Sequence, residues 1–72
     1  DIRAMVDALA ARLAADGADV EGWLRLLRSY AVLGDAAKAR EAAATVRQRF
    51  AAEVDKITRL DGLLNELGIG GS

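Results

Sequence analysis

The polar residues whose spacing is best suited to binding a partner are Glu21, Arg25 and Arg28. Spacings of four and three residues place all three on one stripe of a helix. An arginine on such a stripe can hold a carboxylate of a bound peptide through two parallel hydrogen bonds. The same spacing also fits an ordinary exposed face, with a Glu21–Arg25 ion pair worth about 0.2 to 0.5 kcal/mol. Both interpretations stay open at this stage.

No residues of the sequence predict catalysis. The sequence contains no Cys and no His, so thiol chemistry, imidazole catalysis and zinc or haem ligation by these side chains are excluded. Asp19 and Asp35 precede helical segments, where aspartate accepts hydrogen bonds from the backbone. No paired base accompanies the acids of the last helix, Asp55, Asp61 and Glu66. We therefore predict that the chain is not an enzyme and has no catalytic, cofactor-binding or metal-binding residues.

The net charge of −1 over 72 residues is spread along the chain, which predicts no binding of nucleic acid. The basic residues of the later helices are interpreted as solvated; they are Lys38, Arg40, Arg47, Arg49, Lys56 and Arg59. No apolar run reaches the roughly 20 residues of a membrane span. Because the chain opens on Asp1 and not on Met, we interpret it as a fragment of a longer protein.

Helices must position the polar stripe, since the sequence has no Pro and is rich in strong helix formers. The first helix is predicted over residues 2–15, with one apolar face. The second, over about 20–33, is apolar around most of its circumference, which predicts a central helix covered on two sides. Its large side chains are assigned to the core: Trp23, Leu26, Leu27 and Tyr30.

Glycine followed by aspartate marks the first two turns, at Gly17 and Asp19 and at Gly34 and Asp35. A continuous apolar stripe runs from residue 36 to residue 67. Its second half extends from Phe50 to Leu67. We expect a break near residues 50–53, giving helices over about 36–49 and 53–67. The alternative is one long helix, which would invite a domain-swapped dimer. Residues 1–67 are predicted to form one all-α domain of three to four helices, followed by a flexible tail over 68–72.

The second and third helices resemble a tetratricopeptide repeat, which is an antiparallel helical hairpin. Trp23, Leu26, Tyr30, Gly34 and Ala39 stand at signature positions of its pattern. The sequence departs from the pattern at three positions, which are Leu27, Ala43 and Ala51. The resemblance implies a fold of tetratricopeptide-like antiparallel hairpins.

A closer resemblance covers more of the chain. The run from Met5 to Asp35 reads MVDALAARLAADGADVEGWLRLLRSYAVLGD, and it is similar to the periplasmic C-terminal region of the cytochrome c biogenesis factors called CcmI or CycH. The ending LDGLLNELGI also resembles sequences of this family. This resemblance implies a chaperone of cytochrome c maturation that lies in the periplasm and is tethered to the inner membrane by a part of the parent chain absent here.

The resemblance also implies a client and a binding surface. Such a chaperone holds apocytochrome c, chiefly by its C-terminal helix, for haem ligation, and works with other cytochrome c maturation proteins. The repeat pattern adds groove-lining positions to the polar stripe, so the predicted peptide-binding residues are Glu21, Leu24, Arg25, Arg28, Ala31 and Val32. Their mixture of charge and apolar surface suits an amphipathic helix.

A structural role is the alternative function. In that interpretation an exposed apolar edge, including the stripe from Phe50 to Leu67, completes the core of the domain against a second copy or against the rest of the parent chain. Self-association in solution would favour this alternative, and capture of client peptides would favour the chaperone.

Overall fold

The computed structural model describes residues 1–16 and 19–69. They form four helices, α1 (Ile2–Ala15), α2 (Val20–Val32), α3 (Ala36–Arg49) and α4 (Val54–Leu67). The prediction of an all-α fold of helical hairpins is confirmed. The expected break near residues 50–53 is present, so the alternative of one long helix over 36–67 is wrong.

Aspartates and glycines set the helix ends as the sequence predicts. The side chains of Asp19 and Asp35 accept hydrogen bonds from the backbone N–H groups of Glu21 and Lys38, at 3.0 and 3.2 Å. Gly34 lies in the turn between α2 and α3 with a φ of 74°, a left-handed conformation that glycine adopts without strain. These local signals act within one turn of helix, which is why the sequence reveals them. Gly17 lies outside the described residues.

Helix α2 is the centre of the domain, because it packs against each of the other three helices. Leu26 and Leu27 are fully buried there. Trp23 is also buried, and the guanidinium of Arg49 lies 5.8 Å from the centre of its ring. Arg49 donates a hydrogen bond of 3.1 Å to the carbonyl oxygen of Ala14, at the end of α1. Arg49 therefore ties α1 and α3 to α2 and is not simply solvated.

The helices recur at a regular spacing along the chain. Helix α1 begins at Ile2 and α3 at Ala36, while α2 begins at Val20 and α4 at Val54. The two offsets are equal, and at about 34 residues each they match the length of one tetratricopeptide repeat. The ends of α2 and α4 also match, because the N–H groups of residues 35 and 69 bond to the carbonyl oxygens of residues 30 and 64. The helices therefore recur with one period along the described residues.

Two predictions about the C-terminal part need correction. The stripe from Phe50 to Leu67 is not an exposed edge, because Phe50, Leu60 and Leu64 are buried in the core and only Val54 of the stripe is exposed, at 76%. The flexible tail was predicted from residue 68, but Gly68 caps α4 with a φ of 71° and the side chain of Ile69 is buried. Residues 70–72 of the predicted tail lie outside the described residues.

Candidate functional site

A groove of about 410 Å³ runs between α2 and α4. Helix α2 supplies four of the residues that line it, and α4 supplies the other four. They are Glu21, Leu24, Arg25 and Arg28 from α2, and Arg59, Gly62, Leu63 and Glu66 from α4. We call this surface the α2–α4 groove.

Two ion pairs join the walls of the α2–α4 groove. Arg28 Nη1 lies 2.9 Å from Glu66 Oε2, and Arg59 pairs with Glu21. Residues 21 and 28 thus meet residues 59 and 66 in the same order, which shows that α2 and α4 run in the same direction. Each pair is exposed and contributes only about 0.2 to 1 kcal/mol. Their main effect is to fix the register of the two helices.

The floor of the groove is apolar. Leu63 is buried and Leu24 is half-buried against the core. Gly62 leaves open space between them and the rim, since a Cβ added to it would meet no atom within 4 Å. The groove therefore combines an apolar floor, a charged rim and a gap that a side chain of a bound peptide could enter.

The structure brings four of the six predicted binding residues together in this groove: Glu21, Leu24, Arg25 and Arg28. Ala31 does not line it and packs against the core instead. Val32 is 81% exposed and lines a different groove. Peptide binding by Ala31 and Val32 stays a prediction, and the α2–α4 groove does not include them.

The α4 wall was missed by reasoning from the sequence. Arg59 was interpreted as solvated, whereas it lines the groove and pairs with Glu21. One signal could have found it: Arg59 and Glu66 are seven residues apart, as are Glu21 and Arg28, with the order of charges reversed. Two parallel helices with this pattern attract each other at both ends of the contact.

A second groove, of about 270 Å³, lies between α1 and α2. Its lining is mostly apolar and consists of Ile2, Val6, Arg25, Arg28, Ser29, Val32 and Leu33. Ile2 and Val32 are both more than half exposed, as is the nearby α1 residue Met5. We call this surface the α1–α2 groove.

The described residues include no cluster of three or more His, Cys, Asp or Glu side chains that could hold a metal ion. None of the four described helices is long and apolar enough to cross a membrane.

Comparison with known proteins identifies two relatives, both named cytochrome c-type biogenesis protein CycH. The protein of Bradyrhizobium diazoefficiens is 44% identical over 70 residues, which are 97% of this chain and 19% of that protein. The protein of Rhizobium meliloti is 46% identical over 68 residues, which are 94% of this chain and 18% of that protein. The chain thus spans about a fifth of the length of these relatives. The resemblance to the CcmI/CycH family is confirmed.

No protein-family profile matches the chain. No solved structure matches it either.

Proposed function

Because this chain is related over nearly its whole length to one segment of the CcmI/CycH proteins, we propose that it is a non-enzymatic peptide-binding domain that acts in cytochrome c biogenesis. Its ligand is apocytochrome c, held chiefly by the C-terminal helix until the haem is attached. The α2–α4 groove is the binding surface.

The observation that carries this proposal is the composition of that groove. A client helix with one apolar face needs an apolar floor, which Leu24 and Leu63 supply. Its polar flanks need charged groups on both sides, and the rim carries Glu21 and Arg25 from one helix and Glu66 from the other. A groove with these two properties selects an amphipathic helix over an extended or wholly polar peptide.

Substitution of Gly62 tests the assignment of the groove directly, because a side chain added there enters the groove without crowding the fold. Changing Gly62→Leu fills the groove with a side chain that meets no protein atom at its Cβ. Isothermal titration calorimetry with a peptide from the C-terminal helix of an apocytochrome c should show binding at least about tenfold weaker, a loss of about 1.4 kcal/mol.

The matched control is Gly62→Ala, which adds one methyl group at the same position. It should bind the peptide nearly as well as the parent chain, and a scrambled peptide should bind to none of the three proteins. Equal affinity of the parent and Gly62→Leu chains would place the client elsewhere and end the assignment of this groove.

The charge pattern of the rim can be tested separately. Arg28→Glu alone would also set two carboxylates against each other at Glu66, so it should be combined with Glu66→Arg. The double variant keeps an ion pair between α2 and α4 and reverses the charges seen by the client. Weaker binding without a change in helicity is the expected result.

We further propose that the domain lies in the periplasm, where cytochromes c receive their haem, and that a further part of the parent protein tethers it to the inner membrane. Other cytochrome c maturation proteins are then its remaining partners. A fusion to alkaline phosphatase in the full-length protein, active only outside the cytoplasm, tests this location.

A further inference from the structure

The regular spacing of the helices leaves one position of the described array empty. Helix α3 packs against two helices, α2 and α4. Helix α1 is its counterpart one repeat earlier, and among the described helices it packs against α2 alone. The contact between α1 and α2 corresponds to the contact between α3 and α4. Helix α2 precedes α3 and packs against it. Among the described helices, none packs against α1 in the equivalent position.

The surface at this empty position is apolar and uncovered. Ala39 of α3 is fully buried against its neighbours, whereas its counterpart on α1, Met5, is 69% exposed. On α2, Val32 is the counterpart of Glu66, a groove residue of α4, and it is 81% exposed. Ile2 adds a third exposed apolar side chain. All three residues belong to the α1–α2 groove or lie beside it.

The opposite end of the array differs. Outside the α2–α4 groove, the exposed residues of α4 are Val54, Asp55, Thr58, Asp61 and Asn65, and all of them except Val54 are polar. A helix with a polar outer face can stand at the end of a repeat array, because water solvates that face without a further helix. The described fold is therefore closed on the α4 side and open on the α1 side.

We propose that the α1–α2 groove docks the first helix of a preceding repeat, a helix of the same kind as α2 that belongs to the full-length protein. It runs parallel to α2, as α4 does on the other side. One of the two ion pairs between α2 and α4 has a counterpart here. Arg25 is the counterpart of Arg59, which pairs with Glu21, and the glutamate of an α2-like helix would meet Arg25 in the same way.

The chain itself supplies the segment for a test. Asp1 caps α1 as Asp35 caps α3, each accepting a backbone N–H with its side chain. A second copy of residues 20–34, fused directly before Asp1, therefore continues the repeat spacing without a linker. If the groove docks an α2-like helix, this extended chain should unfold about 5 °C or more above the parent chain in thermal melts followed by circular dichroism.

Two exposed valines provide the controls. Val32→Gln should leave the parent chain nearly unchanged but should remove a large part of the gain in the extended chain, where the added helix covers residue 32. Val54→Gln, on an equally exposed valine outside the groove, should affect neither chain. An added segment of scrambled sequence should give no gain.

Three results would overturn the proposal. One is an equal gain from the scrambled segment, and another is an equal effect of Val32→Gln in both chains. The third is a parent chain that is dimeric by light scattering and becomes monomeric with Val32→Gln, since the occupant would then be a second copy. No client peptide enters this experiment, so its outcome is independent of the proposed apocytochrome binding.

Discussion

Replacing Gly62 by alanine should make the domain more stable. Gly62 lies in the interior of α4, where glycine costs about 1 kcal/mol relative to alanine because it loses more backbone freedom on folding. Its φ is not in the left-handed region, and an added Cβ meets no atom within 4 Å. Nothing therefore opposes the gain. For a domain of this size, about 1 kcal/mol raises the unfolding temperature by about 4 to 8 °C.

Gly22→Ala is the matched comparison. Gly22 is also helical and is buried, but its added Cβ would lie 2.8 Å from Leu13 Cδ2. Leu13 is buried and must shift to make room. Overpacking of this kind costs about 1 to 3 kcal/mol, which offsets or exceeds the gain in helix propensity. The Gly22→Ala chain should therefore be no more stable than the parent.

Urea denaturation measures both changes, with circular dichroism in the far ultraviolet reporting helix and the fluorescence of Trp23 reporting the core. Coincident transitions from the two signals would justify a two-state analysis. The reasoning is refuted if Gly62→Ala destabilises the domain, or if Gly22→Ala stabilises it as much as Gly62→Ala does.

Two other substitutions test the core and the walls of the groove. Leu27→Ala should cost about 2 to 5 kcal/mol, because Leu27 is fully buried at the contact of α2 with its neighbours. Domains of this size hold only about 3 to 5 kcal/mol, so far-ultraviolet circular dichroism should show a melt at least about 8 °C lower or no cooperative melt. A melt near that of an exposed control, Val54→Ala, would contradict this. A double-mutant cycle of Glu21→Gln and Arg59→Gln should give a coupling energy of about 0.2 to 1 kcal/mol that falls with added salt. The absence of coupling at low salt would mean that this ion pair does not stabilise the contact between α2 and α4.

Local signals made the elements of the fold predictable. Asp35 and Gly34 act on backbone groups within one turn, so their types alone reveal where α2 ends and α3 begins. The break after Arg49 carries no such signal, since neither Pro nor Gly stands there. It forms because Phe50 and Leu60 both reach the core only if the chain turns between them. That requirement depends on the whole fold, which is why one long helix remained an alternative.

The candidate site was half predictable for a related reason. The residues of α2 share one stripe, and helical spacing alone brings Glu21, Arg25 and Arg28 together. The other wall depends on contacts between residues 38 positions apart, as in the pair of Arg28 and Glu66. Within α4, the charge spacing of Arg59 and Glu66 marks the face that meets α2, but it does so only when it is compared with the spacing of Glu21 and Arg28. Burial of Leu63 and Leu64 decides which face meets α2, and that burial turns Arg59 into the groove.

The polar outer face of α4 has a consequence for solubility at high concentration. Head-to-tail stacking of copies would need two complementary apolar ends, and such contacts continue into filaments when they do not close into a ring. In the described part of the chain the α1 end is apolar, while the α4 end, apart from Val54, presents Asp55, Thr58 and Asn65 to water. Stacking therefore has a starting surface but no surface on which to continue. Helix α4 protects the domain against polymerisation.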